Sequence, residues 1–144
     1  MSDSGPFRRP LNRPITEEER ALVSWLLDHG EEGVGHFIPQ VETLTVASVC
    51  TCGCPAIDFA RDERSGKQES ERLISDYVAI VDRQYVGVLL FATEGQLSML
   101  EVYSLSGTDK SFGLPGIQDL FPWDEFRNHP IPPRQNYPCA NSSN

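Results

Sequence analysis

The sequence predicts an α+β fold in which one N-terminal helix packs on an antiparallel sheet of four to five strands. Three observations support this prediction: a capped amphipathic helix that begins near residue 16, a cysteine-rich hairpin over residues 43–60, and three strand-like segments between residues 73 and 105. Strands that follow one another through tight turns pair as a meander, so the sheet should combine the hairpin with a meander.

The chain has 144 residues, the length of one ordinary domain. Its first residues are rich in proline, serine and arginine and have no apolar period, and its last residues are polar and proline-rich. We therefore expect a flexible arm, or a strap across the domain surface, over residues 1–14, a single domain over residues 15–127 and a disordered tail over residues 128–144.

The first predicted element is a helix that follows Thr16. Thr16 and Glu19 have the spacing of a capping box, in which each side chain accepts a hydrogen bond from the backbone N–H of the other residue. Gly30 is a typical residue just after a helix end. Between these signals, side chains recur at helical spacing on one face, namely Leu22, Trp25, Leu26 and His29.

A short helical turn is expected after this helix. Phe37 and Ile38 have helical spacing with their neighbours, but Pro39 would break the interior of a longer helix. The sequence therefore predicts a single turn that places both Phe37 and Ile38 against the core.

The meander is predicted from three segments, at residues 73–81, 85–93 and 97–105. The first and third alternate apolar with polar residues, and the second is almost continuously apolar. Gly95 lies in the turn before the third segment and can supply the positive φ that a tight hairpin requires. The middle strand should therefore be covered on both faces.

Three of the four cysteines lie in the predicted hairpin, at Cys50, Cys52 and Cys54. Apolar residues occupy even-numbered positions before this segment and odd-numbered positions after it, which predicts an extra residue or a corner at Gly53 and Pro55. Alternate residues of a straight strand are roughly 6.5–7 Å apart, too far for all three thiolates to reach one zinc ion unless the chain bends.

Three interpretations of the cysteines stay open at this point. They could pack as small apolar side chains that continue the core face of the strand. They could bind zinc, with Cys139 as a distant fourth ligand, or form a redox-active pair between Cys52 and Cys54.

Carboxylates within the strand segments form a second candidate site. Asp58, Asp76 and Glu101 could serve as the pair that a glycoside hydrolase needs, or each could lie on the solvated face of its strand. Glu101 and Tyr103 could instead hydrogen-bond to each other as a polar pair. No established catalytic motif accompanies these residues, and we expect a protein that is not an enzyme.

Charge and hydropathy limit the function classes further. A net charge of −9 repels phosphate backbones, so we expect no nucleic-acid partner. No apolar run is long enough to cross a membrane, and the N-terminal residues lack the apolar segment of a secretory signal. We therefore expect a cytoplasmic protein, without a membrane partner, whose exposed sheet edges bind a protein partner.

Four short motifs give the sequence a family resemblance. They are RPL at residues 9–11, TEEER at 16–20, CTCGCP at 50–55 and GQLSMLEVYS at 95–104. Together they resemble a group of small, uncharacterised bacterial α+β domains in which a capped helix precedes an antiparallel sheet. The resemblance implies the fold but no functional residue. Some proteins of this general build neighbour toxin–immunity systems, so an immunity-type binding domain is expected, with a zinc-thiolate or thiol-redox protein as the alternative.

Overall fold

The structure, a computed structural model, describes residues 8–51, 54–61, 71–105 and 112–130. Helix α1 spans Glu17–Asp28, three 3-10 helices span Gly35–Thr43, Ile117–Asp119 and Trp123–Asn128, and the strands are β1 (Arg8–Pro14), β2 (Thr45–Cys50), β3 (Ile57–Phe59), β4 (Glu71–Val81), β5 (Gln84–Thr93), β6 (Gln96–Ser104) and β7 (Leu120–Phe121). All strand pairs are antiparallel, in the order β1-β2-β3-β6-β5-β4-β7. Because α1 packs on this sheet, the predicted α+β class is confirmed.

The sheet of the described residues has seven strands, where the sequence predicts four to five. The two additional strands, β1 and β7, form its edges. Neither has the apolar alternation that marks a half-buried strand, and β7 pairs with β4 only through Phe121 and Leu120. Backbone pairing with a neighbouring strand makes these segments strands, and such pairing leaves no local signal.

Strand β1 replaces the second half of the predicted flexible arm. Residues 8–14 pair with β2, and Leu11 packs against the hydrophobic core. Arg13 donates two hydrogen bonds to the Glu19 carboxylate, of 3.0 Å and 2.9 Å. These partners all come later in the chain, which is why the local composition predicts an arm instead. Residues 1–7 lie outside the described part.

Helix α1 begins with the predicted capping box. The Thr16 hydroxyl accepts from the backbone N–H of Glu19 at 3.1 Å, and the Glu19 carboxylate accepts from the backbone N–H of Thr16 at 3.0 Å. Leu22 and Leu26 of the predicted face have no solvent exposure, whereas Trp25 is half-buried and His29 is exposed. No helix in the described ranges is long and apolar enough to cross a membrane.

The 3-10 helix Gly35–Thr43 covers one end of the sheet. It begins before Pro39 and continues past it, so it is longer than the predicted single turn. Phe37 is buried in the core as predicted, whereas Ile38 points outward and is 49% exposed, so this part of the prediction is wrong. Adjacent residues of a 3-10 helix lie about 120° apart, which prevents both from facing the same core.

The β4–β5–β6 meander is confirmed, and both of its hairpins have two-residue loops. Its middle strand is not fully covered on both faces as predicted, because Leu89 and Phe91 are only half-buried. The first loop has φ values of 51° at Asp82 and 65° at Arg83, and the second has 53° at Glu94 and 79° at Gly95. Positive φ at both central residues matches the right-handed twist of the paired strands. The loops therefore fix the register that places side chains on the two faces of the sheet.

A β-bulge in β2 accounts for the change of apolar parity. Val46 lies opposite Phe59, and Ser48 lies opposite Asp58, so Ala47 is the extra residue. Val46 and Phe59 face the core, whereas the Ser48 hydroxyl donates to the Asp58 carboxylate on the other face. The parity thus changes within β2, before the corner at which the sequence places it.

The C-terminal segment packs beside the sheet beyond β7. The rings of Phe121 and His129 stack with centroids 4.0 Å apart, and the Tyr85 hydroxyl donates to the carbonyl of His129 at 2.6 Å. His129, which belongs to the predicted disordered tail, therefore lies against the domain. Residues 131–144 lie outside the described part of the chain.

Candidate functional site

The face of the sheet turned away from α1 carries all the carboxylates that the sequence singles out. Val88 and Leu90 of β5 are buried on the helix side, whereas Leu89 between them is half-buried on the other side. We call this second side the outer face. By cross-strand register it includes Asp58, Asp76, Leu89, Phe91, Met99, Glu101 and Tyr103.

One row of the outer face places a leucine between two carboxylates. Leu89 lies opposite Asp76 of β4 and opposite Glu101 of β6. Because neighbouring strands are ~4.8 Å apart, β4 and β6 are separated by roughly 9.5 Å. Asp76 is exposed and Glu101 is half-buried. Their side chains are separated by Leu89, and the cleft that Asp76 lines does not include Glu101.

Of these two carboxylates, Glu101 has fewer hydrogen-bond partners. Trp123 donates its indole N–H to the Asp76 carboxylate at 2.6 Å. Among the described residues, the Glu101 side chain has neither a hydrogen-bond partner nor an ion-pair partner. A half-buried carboxylate without a partner is free to accept a cation from outside the chain.

Tyr103 lies over the backbone of β5, at Gly87. A Cβ at position 87 would lie 2.5 Å from the Tyr103 ring, so only glycine lets the ring lie flat there. Burial raises the pKa of the Tyr103 hydroxyl, and the negative charges of Asp76 and Glu101 raise it further. The phenol therefore stays neutral. The direct hydrogen bond predicted between Glu101 and Tyr103 is not among those that the described residues form.

Replacing Gly87 with alanine should displace the Tyr103 ring and lower the free energy of unfolding by about 1 kcal/mol. In a Tyr103→Ala background the same change should be neutral or stabilising, because alanine loses less backbone entropy than glycine on folding. Urea unfolding of the four proteins of this double-mutant cycle measures the difference. Equal effects of Gly87→Ala in both backgrounds would contradict the contact.

Asp58 marks the β3 side of the outer face. It lies opposite Met99 of β6, and it accepts a hydrogen bond from the buried hydroxyl of Ser48. Asp58, Asp76, Glu101 and Tyr103, all distant in sequence, are thus brought onto one surface. The half-buried apolar side chains Leu89, Phe91 and Met99 lie among them.

The cysteines do not join this constellation as a metal site within the described residues. Cys54 packs against the hydrophobic core, and Cys50 is half-buried at the end of β2, opposite β1. Cys52 and Cys139 lie outside the described ranges, so the zinc-thiolate site and the redox pair stay predictions. In the ranges that the structure describes, no three His, Cys, Asp or Glu residues are grouped closely enough to hold a metal ion.

A cleft of about 460 Å³ adjoins the outer face at the open edge of β4. Strand β7 covers β4 only at Val78 and Ala79, so the preceding residues of β4 form the floor of this β4 cleft. One wall is the end of α1 and the other is the segment around Trp123. The lining residues with polar or aromatic side chains are His29, Glu31, Ser75, Asp76, Tyr77, Trp123 and Asp124.

Aromatic rings form a rigid wall behind the β4 cleft. The Trp25 and His29 rings stack with centroids 3.8 Å apart, and Trp25 meets Tyr77 edge to face at 4.8 Å. The Tyr77 hydroxyl donates to the carbonyl of His29 at 2.9 Å. Sequence reasoning placed Trp25 and His29 on the core face of the helix and missed the cleft. The other wall of the cleft comes from the segment around Trp123, almost one hundred positions after Trp25 in the sequence.

Comparisons with protein-family models, with curated proteins and with solved structures found no match to this chain. The resemblance to small bacterial α+β domains therefore stays a prediction. Function is inferred from the geometry of the outer face and the β4 cleft.

Proposed function

We propose that this protein is a non-enzymatic binding domain whose outer face docks a basic protein partner. The observation that carries the proposal is the composition of that face. Half-buried apolar side chains, Leu89, Phe91 and Met99, are surrounded by Asp58, Asp76 and Glu101. Apolar contacts at the centre supply binding free energy, and charges around them select a partner of opposite sign.

The Glu101 carboxylate is the reason for proposing a positively charged partner. A carboxylate that loses water on docking needs a cation or several hydrogen-bond donors, because an unpaired buried charge costs several kcal/mol. Glu101 has no such partner in the described chain, and its neighbours Asp76 and Asp58 are also acidic. A surface rich in lysine or arginine would pair with Glu101 and Asp76, and the net charge of −9 would accelerate the encounter.

The sequence predicts that the partner binds at the sheet edges, but the outer face suits this role better. Edge strand β1 contains Pro10 and Pro14, which lack the N–H needed to pair with an added strand. At the other edge, β7 is only two residues long. An inhibitor of the immunity type, which blocks a basic partner by covering it, would use an acidic face in this way.

Capture from a native extract at low salt, with matched charge-reversal variants, tests the proposal. We expect the wild-type protein to retain basic proteins that are released at high salt, where the Debye length falls to about 3 Å. Glu101→Lys should abolish this retention. Glu42→Lys makes the same charge change at an exposed residue of the 3-10 helix on the other side of the sheet, and it should retain the same proteins.

Two results would contradict the proposal. One is that Glu101→Lys and Glu42→Lys lose the captured proteins equally, which would indicate only a non-specific effect of net charge. The other is that the proteins captured by the wild type are not basic. Phe91→Ser should also weaken capture, since an apolar centre contributes most of the binding free energy in a specific interface.

A further inference from the structure

We propose that the β4 cleft receives one arginine side chain of the basic partner. This inference rests on the proposed function, because it names the group through which that partner is recognised. The cleft adjoins the outer face at Asp76, which belongs to both surfaces. An arginine that enters the cleft would therefore anchor a protein that covers the outer face.

The wall formed by Trp123 has the two features that a guanidinium group requires. Trp123 is 39% exposed, so a face of its indole is open to a ligand. Its N–H donates to Oδ1 of Asp76 at 2.6 Å, which fixes the carboxylate beside the ring and leaves the second oxygen, Oδ2, as an acceptor. A planar guanidinium can stack on an indole while donating to an adjacent carboxylate.

The charges that face the β4 cleft favour a cation. Asp76, Asp124 and Glu31 line it. Glu31 accepts from Arg72 at 3.0 Å in an exposed ion pair, which leaves Asp76 and Asp124 without a cationic partner among the described residues. A ligand with one positive charge therefore enters a site that holds two unneutralised carboxylates.

Ser75 also lines the β4 cleft, but its side chain lies on the helix side of β4, opposite Leu90, and not on the face that carries Asp76. Its side chain is only 5% exposed, and its hydroxyl oxygen is buried without a hydrogen-bond partner. Buried polar groups are nearly always paired, so an unpaired hydroxyl calls for an explanation. A ligand that rests in the open cleft does not reach this oxygen, because the oxygen has no accessible surface, so the arginine is recognised through Trp123 and the carboxylates. Guanidinium has five N–H donors, enough for those carboxylates together.

Titration with a small arginine derivative tests the inference without the unidentified partner. The chain has two tryptophans, Trp123 in one wall of the cleft and Trp25 behind the other, so intrinsic fluorescence reports on this site. We expect N-acetyl-arginine methylamide to change the fluorescence saturably and salt-dependently. N-acetyl-citrulline methylamide, which has nearly the same shape but no charge, should not.

Variants then separate recognition from a non-specific effect of charge. Asp76→Asn should weaken binding of the arginine derivative at least about tenfold. Asp124→Asn provides a second carboxylate variant should Asp76→Asn fail to fold. Glu18→Gln, an equal loss of charge in the first turn of α1, should leave the affinity unchanged.

Equal binding of the citrulline derivative, unchanged affinity in both carboxylate variants, or no saturable change at all would overturn the inference. These outcomes are distinct from those that test the proposed function. If capture depends on Glu101 but the arginine derivative does not bind, the proposed docking function stands and only the arginine site in the β4 cleft is contradicted. Binding of the derivative without Glu101-dependent capture would overturn the proposed function.

Discussion

Phe37→Ala is expected to lower the free energy of unfolding by about 3–5 kcal/mol, the loss typical of a buried phenylalanine. Phe37 is 1% exposed and belongs to the hydrophobic core that also includes Leu22 and Leu26 of α1. Truncating it removes the apolar contacts of a whole ring and leaves a cavity that the surrounding strands cannot close. Against a typical total stability of about 5–15 kcal/mol, this is a large fraction.

The adjacent residue provides the matched control. Ile38 has a side chain of comparable hydrophobicity in the same 3-10 helix, but it is 49% exposed. Ile38→Ala should therefore change stability by less than about 1 kcal/mol. Urea unfolding monitored by circular dichroism measures both variants. Similar losses of stability at the two positions would contradict the orientation of this 3-10 helix, in which Phe37 is buried and Ile38 is exposed.

The features that sequence reasoning predicts well are determined by neighbouring residues. The capping box of α1 needs only Thr16 and Glu19, three positions apart, and it forms as expected. The hairpin that contains Gly95 needs only two apolar strands and a loop that tolerates positive φ. In both cases the physical cause lies within a few residues of the sequence, so the pattern and the structure coincide.

The features that sequence reasoning misses depend on residues that are distant in the sequence. Strand β1 exists because β2 offers a paired backbone, and the Ala47 bulge is defined only by its pairing with β3. A second bulge, around Ser98, likewise turns Leu97 to the core while Met99 lies on the outer face. Strict alternation from Glu101 would therefore identify its neighbours Met99 and Tyr103 correctly but would assign Leu97 to the wrong face.

The candidate site is predicted in part for the same reason. A solvated position for Asp58, Asp76 and Glu101 is one of the two interpretations that the sequence allows, and the meander brings the last two into one row. The bond between Asp76 and Trp123 joins residues 47 positions apart, and no spacing rule predicts it. The cysteines attract attention by their density in the sequence, whereas the outer face is assembled from residues that have no local signature.

Arg13→Gln is expected to lower the free energy of unfolding by about 1–3 kcal/mol at neutral pH, because it removes a bidentate ion pair from a largely buried carboxylate. The Arg13 guanidinium donates to both oxygens of Glu19, and the Glu19 residue is 8% exposed. Without Arg13, the carboxylate would keep the backbone hydrogen bond from Thr16 but would lose its compensating charge.

The pH dependence of this loss follows from the pKa of Glu19. Burial alone would raise this pKa, but the hydrogen bonds from Arg13 and Thr16 and the positive charge of Arg13 outweigh it, so the pKa of Glu19 is lowered in the folded protein. A lowered pKa stabilises the fold at pH values above the unfolded value, about 4.3 for glutamate. That stabilisation disappears as the pH falls through the lower folded pKa. The wild type should therefore lose its advantage over Arg13→Gln in acid.

Arg72→Gln isolates the effect of burial in this comparison. Arg72 forms an ion pair of 3.0 Å with Glu31, nearly as short as the 2.9 Å of Arg13 with Glu19, but its side chains are 46% and 54% exposed. Solvent screens such a pair, so its removal should cost less than about 1 kcal/mol. Urea unfolding between neutral pH and pH ~3, in acid below the glutamate reference value, measures all three proteins. A loss in Arg13→Gln that does not shrink with falling pH, or that Arg72→Gln equals, would show that the Glu19 charge does not hold β1 against α1.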